Sequence, residues 1–291
     1  MYSYEKVFDR IGSQYRIGQP IHCRPDGGVL FSIQENTQQL VLQTTCSIPE
    51  QNRLSCDSSS LMQVQVPVYD QDGQAFGFLM RLKRELPNPV SLESRLMQMG
   101  EEISQTVPVR KLLAVQMCRI FSLVHQEGFV FGFAEPGDFL VSERNRLVCA
   151  STDRCLINPA EWESMWYYCA PEVLAADANC EYDFAGDCYT LGILLFQILT
   201  GSYPFGGGLL PKEERILEEI LDGKSVFFYS DRPESQSILA RLREYDADGE
   251  MVSKTLMSLF QRTFDYSGSS SYQKGRPSLA EWVRFMQAAK W

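Results

Sequence analysis

The chain has 291 residues, of which 44% are hydrophobic, and this is enough for two lobes with substantial cores. Its 27 lysine and arginine residues against 37 aspartate and glutamate residues give a formal net charge of -10. A surface of this charge repels phosphate backbones and anionic lipid, so we expect neither nucleic acid nor a membrane surface as the main partner. No apolar run reaches the length that spans a bilayer, and the N-terminal sequence shows no signal peptide.

The N-terminal part, residues 1–86, has the pattern of a small antiparallel sheet. Short apolar or alternating runs predict four strands at 28–33, 39–44, 62–68 and 75–82. Asp26-Gly27 and Asp72-Gly73 are typical of hairpin turns between strands. The Leu86-Pro-Asn-Pro89 segment breaks the pattern and predicts the hinge to the rest of the chain.

The remaining residues, 87–291, predict a mainly helical part. Apolar periodicity and helix start and stop residues predict helices at 91–104, 109–126, 187–200, 211–222, 235–245, 250–264 and 278–290. The segment 187–200 is apolar on nearly every side, so we expect this helix to be buried in the core.

Nine cysteines are spread along the chain without the paired C-x-x-C spacing of a zinc site, so no structural metal is expected. Cys118 falls on a predicted helix and is expected to be a small buried side chain. Most of the others lie at predicted loop or strand ends, which suits at least one disulfide in an oxidising compartment. The nearest pairs are Cys46 with Cys56 and Cys180 with Cys188, although the connectivity stays open.

The helical part also carries a set of motifs in a characteristic order. They are Ala170-Pro171-Glu172, Asp187-Cys-Tyr-Thr-Leu-Gly192, Thr200-Gly-Ser-Tyr-Pro-Phe205 and Arg276-Pro277. In the same order, they resemble four features of protein kinases: the A-P-E motif, the start of the central buried helix, the loop after that helix, and the late arginine that pairs with the A-P-E glutamate. The resemblance covers nearly the whole chain. It implies an α+β, bilobal protein-kinase-like fold, with a small antiparallel β N-lobe over 1–86 and a larger, mainly α-helical C-lobe over 87–291.

In this resemblance, Glu172, Asp187 and Arg276 have structural roles. A bidentate pair between Glu172 and Arg276 would fix a loop on the helical core whether or not the protein does chemistry. We therefore expect this pair to matter for folding.

The catalytic positions depart from the kinase pattern H-R-D-L-x-x-x-N, in which the aspartate takes a proton and the asparagine holds a metal ion. Aligned on Pro136, H-R-D reads Phe131-Gly132-Phe133. The lysine two residues later reads Glu135, and the asparagine reads Asp138. Ser151-Thr152-Asp153 stands in place of D-F-G, with its aspartate two positions late. We interpret Asp138 and Asp153 as solvated loop carboxylates, and no metal is expected.

The nucleotide-binding positions are also altered. Of the phosphate loop G-x-G-x-x-G, the segment 16–23 keeps only Gly18, and Pro20 has no N–H to offer a phosphate. Gln43 stands where the phosphate-pairing lysine is expected. Only about twenty residues follow before the next strand, so the helix carrying the partner of that lysine is expected to be truncated or missing. Glu50 is the nearby acid, and we interpret it as an exposed loop residue.

Losses at every phosphate-handling position favour a catalytically inactive pseudokinase that is not an enzyme, takes no cofactor, does not bind ATP and serves as an interaction or scaffolding module. The protein partner is not identified. Two alternatives remain. One is a nucleotide-sensing switch, and the other is a metal-dependent phosphoryl or nucleotidyl transferase using Glu135, Asp138 and Asp153.

The altered catalytic loop and the cysteines resemble the rhoptry kinase family of coccidian parasites. This resemblance implies a secreted protein located in the parasitophorous vacuole or the cyst wall.

Overall fold

The structure is a computed structural model. It describes residues 6–23, 28–34, 40–44, 59–81, 86, 88–100, 103–132, 134–150, 166–175, 182–206, 214–246, 252–265 and 275–288. The chain mixes strands and helices and divides into two compact units. The first unit comprises Met1–Ser94 and Pro136–Leu156, and the second comprises Arg95–Glu135 and Ile157–Trp291.

The first unit is built on six antiparallel strands. They are β1 (Lys6–Phe8), β2 (Gln14–Cys23), β3 (Val29–Ile33), β4 (Leu40–Thr44), β5 (Gln63–Tyr69) and β6 (Ala75–Arg81). The four strands predicted from sequence are β3 to β6. The strands form a closed barrel in the order β1-β2-β3-β4-β6-β5, which corrects the expectation of a plain sheet. The short β1 closes the barrel, because it pairs with β2 on one side and places Phe8 opposite Tyr69 of β5 on the other. Closure removes the unpaired edges that an open sheet would leave.

A second, three-stranded antiparallel sheet completes this unit. Its strands are β7 (Val90–Ser91), β8 (Phe139–Val141) and β9 (Leu147–Cys149), in that order. A one-turn 3₁₀ helix, Pro136–Asp138, leads into β8. One apolar cluster joins the barrel to β8 and β9, and consists of Leu30, Val41, Met62, Phe78, Met80, Leu86, Leu140, Val148 and Ala150. This packing explains why residues 136–156 belong with the first unit.

The helices are α1 (Leu92–Met99), α2 (Val107–Gln126), α3 (Pro171–Leu174), α4 (Phe184–Thr200), α5 (Glu214–Leu221), α6 (Pro233–Arg243), α7 (Val252–Phe264) and α8 (Leu279–Ala288). The prediction of a buried central helix is confirmed, because every residue of α4 from 186 to 200 is buried. Asp183 caps its N-terminus by accepting a hydrogen bond from the Gly186 N–H at 2.8 Å, and Gly201 ends it with a φ of 70°. Helices α2, α6 and α7 pack against α4.

Of the helices in the described residues, none is both long enough and apolar enough to cross a membrane.

Candidate functional site

The segment aligned with the phosphate loop of kinases is an extended strand. Gly18 and Pro20 both lie within β2, where Pro20 is paired with Phe31 of β3 across an irregular register. A Cβ added at Gly18 would lie 2.4 Å from the Ser32 Oγ and 2.8 Å from the Ser32 carbonyl oxygen. The close approach of the neighbouring strand therefore accounts for this glycine, and the local geometry is that of sheet pairing.

The side chain of His22 packs on the 3₁₀ turn that carries Asp138. An ideal Cβ built at Gly137 would lie 1.8 Å from the His22 Nε2 and 2.3 Å from its Cε1, so the imidazole occupies the space beside this glycine. The His22 side chain is 10% exposed, and its Nδ1 lies 3.7 Å from the carboxylate of Glu93. Strand β2 is thus in direct contact with the segment aligned with the kinase catalytic loop. Sequence reasoning missed this contact, because the kinase pattern specifies no side chain at either position.

Gln43 is buried beside the apolar cluster of the first unit. It lies opposite Leu30 in β3 and Phe78 in β6, and both of these belong to that cluster. Ile21 packs against the same cluster from β2. Burial in such surroundings penalises a charged side chain, so a neutral glutamine suits this position better than the lysine of the kinase pattern.

The carboxylates of the candidate metal site are less solvated than the sequence suggests. Asp138 is buried in the first unit, where its carbonyl accepts a hydrogen bond from the Ala150 N–H at 2.8 Å, and Glu135 is buried in the second unit. This corrects the expectation of a solvated carboxylate at Asp138. Phe133 and Ser151-Thr152-Asp153 lie outside the described residues, as does the segment 45–58 where a truncated regulatory helix was expected. Within the part of the chain that the structure describes, no cluster of three His, Cys, Asp or Glu could hold a metal.

Asp187, in the first turn of α4, organises the other part of the altered catalytic loop. Its carboxylate accepts hydrogen bonds from the backbone N–H groups of Phe131 at 2.8 Å and Gly132 at 3.0 Å. The His125 Nε2 lies 2.8 Å from the Asp187 Oδ2 and donates the third hydrogen bond. Gly132 has a φ of 75°, a left-handed conformation that favours glycine over the arginine of the kinase pattern.

Burial raises the pKa of the Asp187 carboxyl, and its hydrogen bonds with His125, Phe131 and Gly132 act in the opposite direction. Phe131 and Gly132, which replace the His and Arg of H-R-D, are therefore bound to α4 through their backbone N–H groups. These hydrogen bonds do not depend on which side chains the two residues carry. Sequence analysis identified Asp187 but missed His125. A signal existed, since His125 is one of only two histidines and ends the helical stripe of α2.

Glu172 and Arg276 form the bidentate pair that the motifs predict. The Arg276 Nη1 and Nη2 donate to the two carboxylate oxygens of Glu172, each at 2.8 Å, with side-chain exposures of 1% for Arg276 and 15% for Glu172. Arg276 also donates to the Ala185 carbonyl, and its guanidinium lies 5.2 Å from the centroid of the Tyr189 ring. One arginine thereby joins helix α3 to the beginning of α4.

The described cysteines are free thiols. Cys118, Cys149, Cys169 and Cys188 are buried, whereas Cys23 is exposed. Cys188 lies within α4, which corrects its place in an expected disulfide with Cys180, because a buried helical position is not a loop end. Cys180 and the pair Cys46 and Cys56 fall outside the described residues.

Comparison with known proteins supports a protein-kinase-like relationship, although no protein-family model matches the chain. The cAMP-dependent protein kinase catalytic subunit of Arthrobotrys oligospora is 26% identical over 141 residues, which cover 46% of this chain and 26% of that protein. The serine/threonine-protein kinase PknJ of Mycobacterium bovis is 32% identical over 104 residues, covering 32% of this chain and 17% of that protein. The dual specificity mitogen-activated protein kinase kinase jkk-1 of Caenorhabditis elegans is 47% identical over 38 residues, which cover 13% of this chain and 9% of that protein. The chain therefore spans about a quarter or less of the length of these relatives.

These relatives contradict the prediction that the chain is not an enzyme, because each of them is named as a protein kinase. The prediction was drawn from the side chains missing at motif positions. A motif position shows which side chain is absent there, but it does not show which other side chain supplies the same chemistry from nearby. The altered residues alone therefore do not define the activity class.

Proposed function

We propose that the chain is a bilobal protein-kinase-like protein, with a small β N-lobe and a mainly helical C-lobe, that serves as a protein-interaction module. The observation that carries this proposal is the contact between His22 and Gly137. In the kinase pattern, the phosphate loop and the catalytic loop enclose the phosphates of a nucleotide. Here the His22 side chain occupies the space beside the Gly137 turn, and this contact supports a role that does not require a nucleotide.

The contacts of the second unit support the same proposal. Asp187 holds the backbone of the altered catalytic loop, and Arg276 pairs with Glu172 in a nearly buried position. Both arrangements fix segments of the second unit through contacts among its own residues. A rigid, preorganised surface loses little entropy on association and therefore suits recognition of another protein.

The kinase names of the relatives favour a second candidate function, which is phosphoryl transfer to a protein. If the chain bound ATP without turnover, it would instead fit a nucleotide-sensing switch.

Thermal unfolding with and without nucleotide tests the two candidates. The wild-type chain and His22→Ala would be melted with Mg²⁺-ATP and Mn²⁺-ATP. A ligand at 100 times its dissociation constant stabilises by about 2.7 kcal/mol, which raises the melting temperature by several degrees. We expect no shift for the wild type. A clear upshift would show that the chain binds nucleotide and would favour the second candidate, and transfer of labelled phosphate to a generic protein substrate would then separate a kinase from a switch.

The resemblance to the rhoptry kinase family supports a further part of the proposal, which is secretion into the parasitophorous vacuole or the cyst wall. An antibody raised against the chain should stain that compartment in infected host cells. Staining confined to the parasite cytosol would contradict this location.

A further inference from the structure

Three consecutive aromatic residues of the second unit form a 3₁₀ helix, Trp166–Tyr168, shortly before the A-P-E motif. Trp166 and Tyr167 are partly exposed, and their ring centroids lie 3.7 Å apart. Tyr168 is buried, and its hydroxyl accepts a hydrogen bond from the Gln197 Nε2 at 3.2 Å. Helix α4, which carries Gln197, therefore holds the buried member of this segment.

The partly exposed pair, Trp166 and Tyr167, is held by the loop after α4. The Tyr203 hydroxyl donates a hydrogen bond to the Tyr167 carbonyl. Tyr203 is buried, and its ring centroid lies 6.3 Å from that of Tyr168 in an edge-to-face arrangement. Because a buried hydroxyl that loses its partner carries a desolvation cost, the position of the Tyr167 backbone is coupled to that of Tyr203.

The loop after α4 is in turn held by α6. The Arg241 Nη1 donates to the Thr200 carbonyl at 3.0 Å and to the Ser202 Oγ at 2.8 Å. The Thr200 carbonyl ends α4, where the last carbonyls of a helix need partners from elsewhere and the helix dipole favours a cation. The Ser202 N–H donates to the Thr200 Oγ1 at 3.2 Å. Arg241 thus fixes the residues that lead into Tyr203.

The Arg241 guanidinium provides the charge-assisted hydrogen bonds of this series, whereas the contacts of Tyr203 and Gln197 join neutral groups. Charge-assisted hydrogen bonds are roughly twice as strong as neutral ones. Helix α4 is buried over residues 186–200, so its own packing keeps it in place, but the loop begins directly after it at Gly201. Loss of the guanidinium should therefore free the loop and leave the helix unchanged.

We propose that Arg241 is a positioning residue for the aromatic pair. It fixes the end of α4 and the loop that carries Tyr203, and Tyr203 fixes the backbone of Tyr167. Helix α6 thereby sets the conformation in which Trp166 and Tyr167 meet solvent, and displacement of Arg241 releases that conformation. This role goes beyond the proposed function, because it concerns the conformation of the surface whatever binds there.

Native-state hydrogen exchange of the full chain, followed by NMR, tests this role at two backbone amides. The Cys169 N–H donates to the Trp166 carbonyl at 3.0 Å and reports opening of the aromatic segment. The Trp282 N–H donates at 3.1 Å at the start of α8 and reports opening elsewhere in the second unit. Arg241→Met removes the donors and keeps an apolar stem. Arg243→Met is the matched control, because Arg243 is exposed on the same helix.

We expect Arg241→Met to speed exchange of the Cys169 amide by about tenfold and to leave the Trp282 amide unchanged. Tyr203→Phe, which removes the donor to the Tyr167 carbonyl, should have a similar effect at Cys169. The double variant should exchange no faster than the faster of the two single variants, because both break the same series of contacts. Arg241→Lys keeps the charge and a donor, so it should exchange at an intermediate rate and serves if the methionine variant does not fold.

Three results would each overturn the inference. The first is exchange at Cys169 that is no faster in Arg241→Met than in Arg243→Met. The second is an equal increase at Trp282, since the second unit would then open as a whole. The third is full additivity of Arg241→Met and Tyr203→Phe, because the two residues would then act on the aromatic segment separately.

Discussion

Removal of the Glu172 carboxylate should destabilise the second unit strongly, because this carboxylate is the counterion of the buried Arg276. In Glu172→Ala, the buried Arg276 guanidinium would lose two hydrogen bonds of 2.8 Å and would keep only the Ala185 carbonyl and the face of Tyr189. A cation in this environment has little access to water. The variant therefore leaves a nearly buried charge without its counterion.

The expected loss follows from the geometry of the pair. Breaking a buried ion pair by removal of one partner costs about 3–5 kcal/mol. Because Glu172 is partly exposed, water can reach its side of the site, and we expect the lower end, about 3 kcal/mol. Glu172→Gln keeps one acceptor and should lie between the wild type and Glu172→Ala.

Urea unfolding measures this loss, with the intrinsic fluorescence of the four tryptophans as the probe, since all four belong to the second unit and Trp282 is buried there. The matched control is Arg262→Ala, which breaks the exposed pair between Arg262 and Glu281 at 3.0 Å. That pair should contribute about 1 kcal/mol or less, because both side chains are in contact with solvent. If Glu172→Ala loses no more stability than Arg262→Ala does, burial is not what gives the Glu172 pair its importance, and the reasoning is wrong.

Three more predictions concern other contacts. Gly137→Ala should lower the free energy of unfolding by about 1–3 kcal/mol, because the added methyl group would meet the His22 imidazole. Adding His22→Ala to this variant should recover most of that loss. If the losses of the two single variants simply add in urea unfolding, the contact is contradicted. Asp187→Asn should lower the free energy of unfolding by about 1.5–3 kcal/mol and should speed hydrogen exchange at the backbone amides of Phe131 and Gly132. Unchanged exchange would show that the Asp187 carboxylate is not what protects these two amides. Iodoacetamide should modify Cys23 faster than Cys188, since Cys23 is exposed and burial raises the pKa of Cys188 to about 11. Equal rates by mass spectrometry would contradict the burial of Cys188.

Much of the secondary structure could be predicted from local patterns. Strands β3 to β6 have short apolar or alternating runs, and α4 has an apolar stretch that begins after Asp183 and stops at Gly201. In contrast, β1 has three residues, which are too few to show a period. It is a strand only because β2 and β5 supply its hydrogen-bond partners, so barrel closure was not predictable from its own sequence.

The sequence by itself determined the framework of the second unit, since Glu172, Asp187 and Arg276 stand in motifs whose order along the chain is recognisable. It did not determine the surroundings of those motifs. That His22 meets Gly137 was decided by the tertiary structure, because the contact depends on the register that places His22 opposite Leu30. A shift of one residue in that register would turn the imidazole to the other face of the sheet. Local patterns record the period and chemistry of a segment, but the pairing of distant segments decides which side chains share a site.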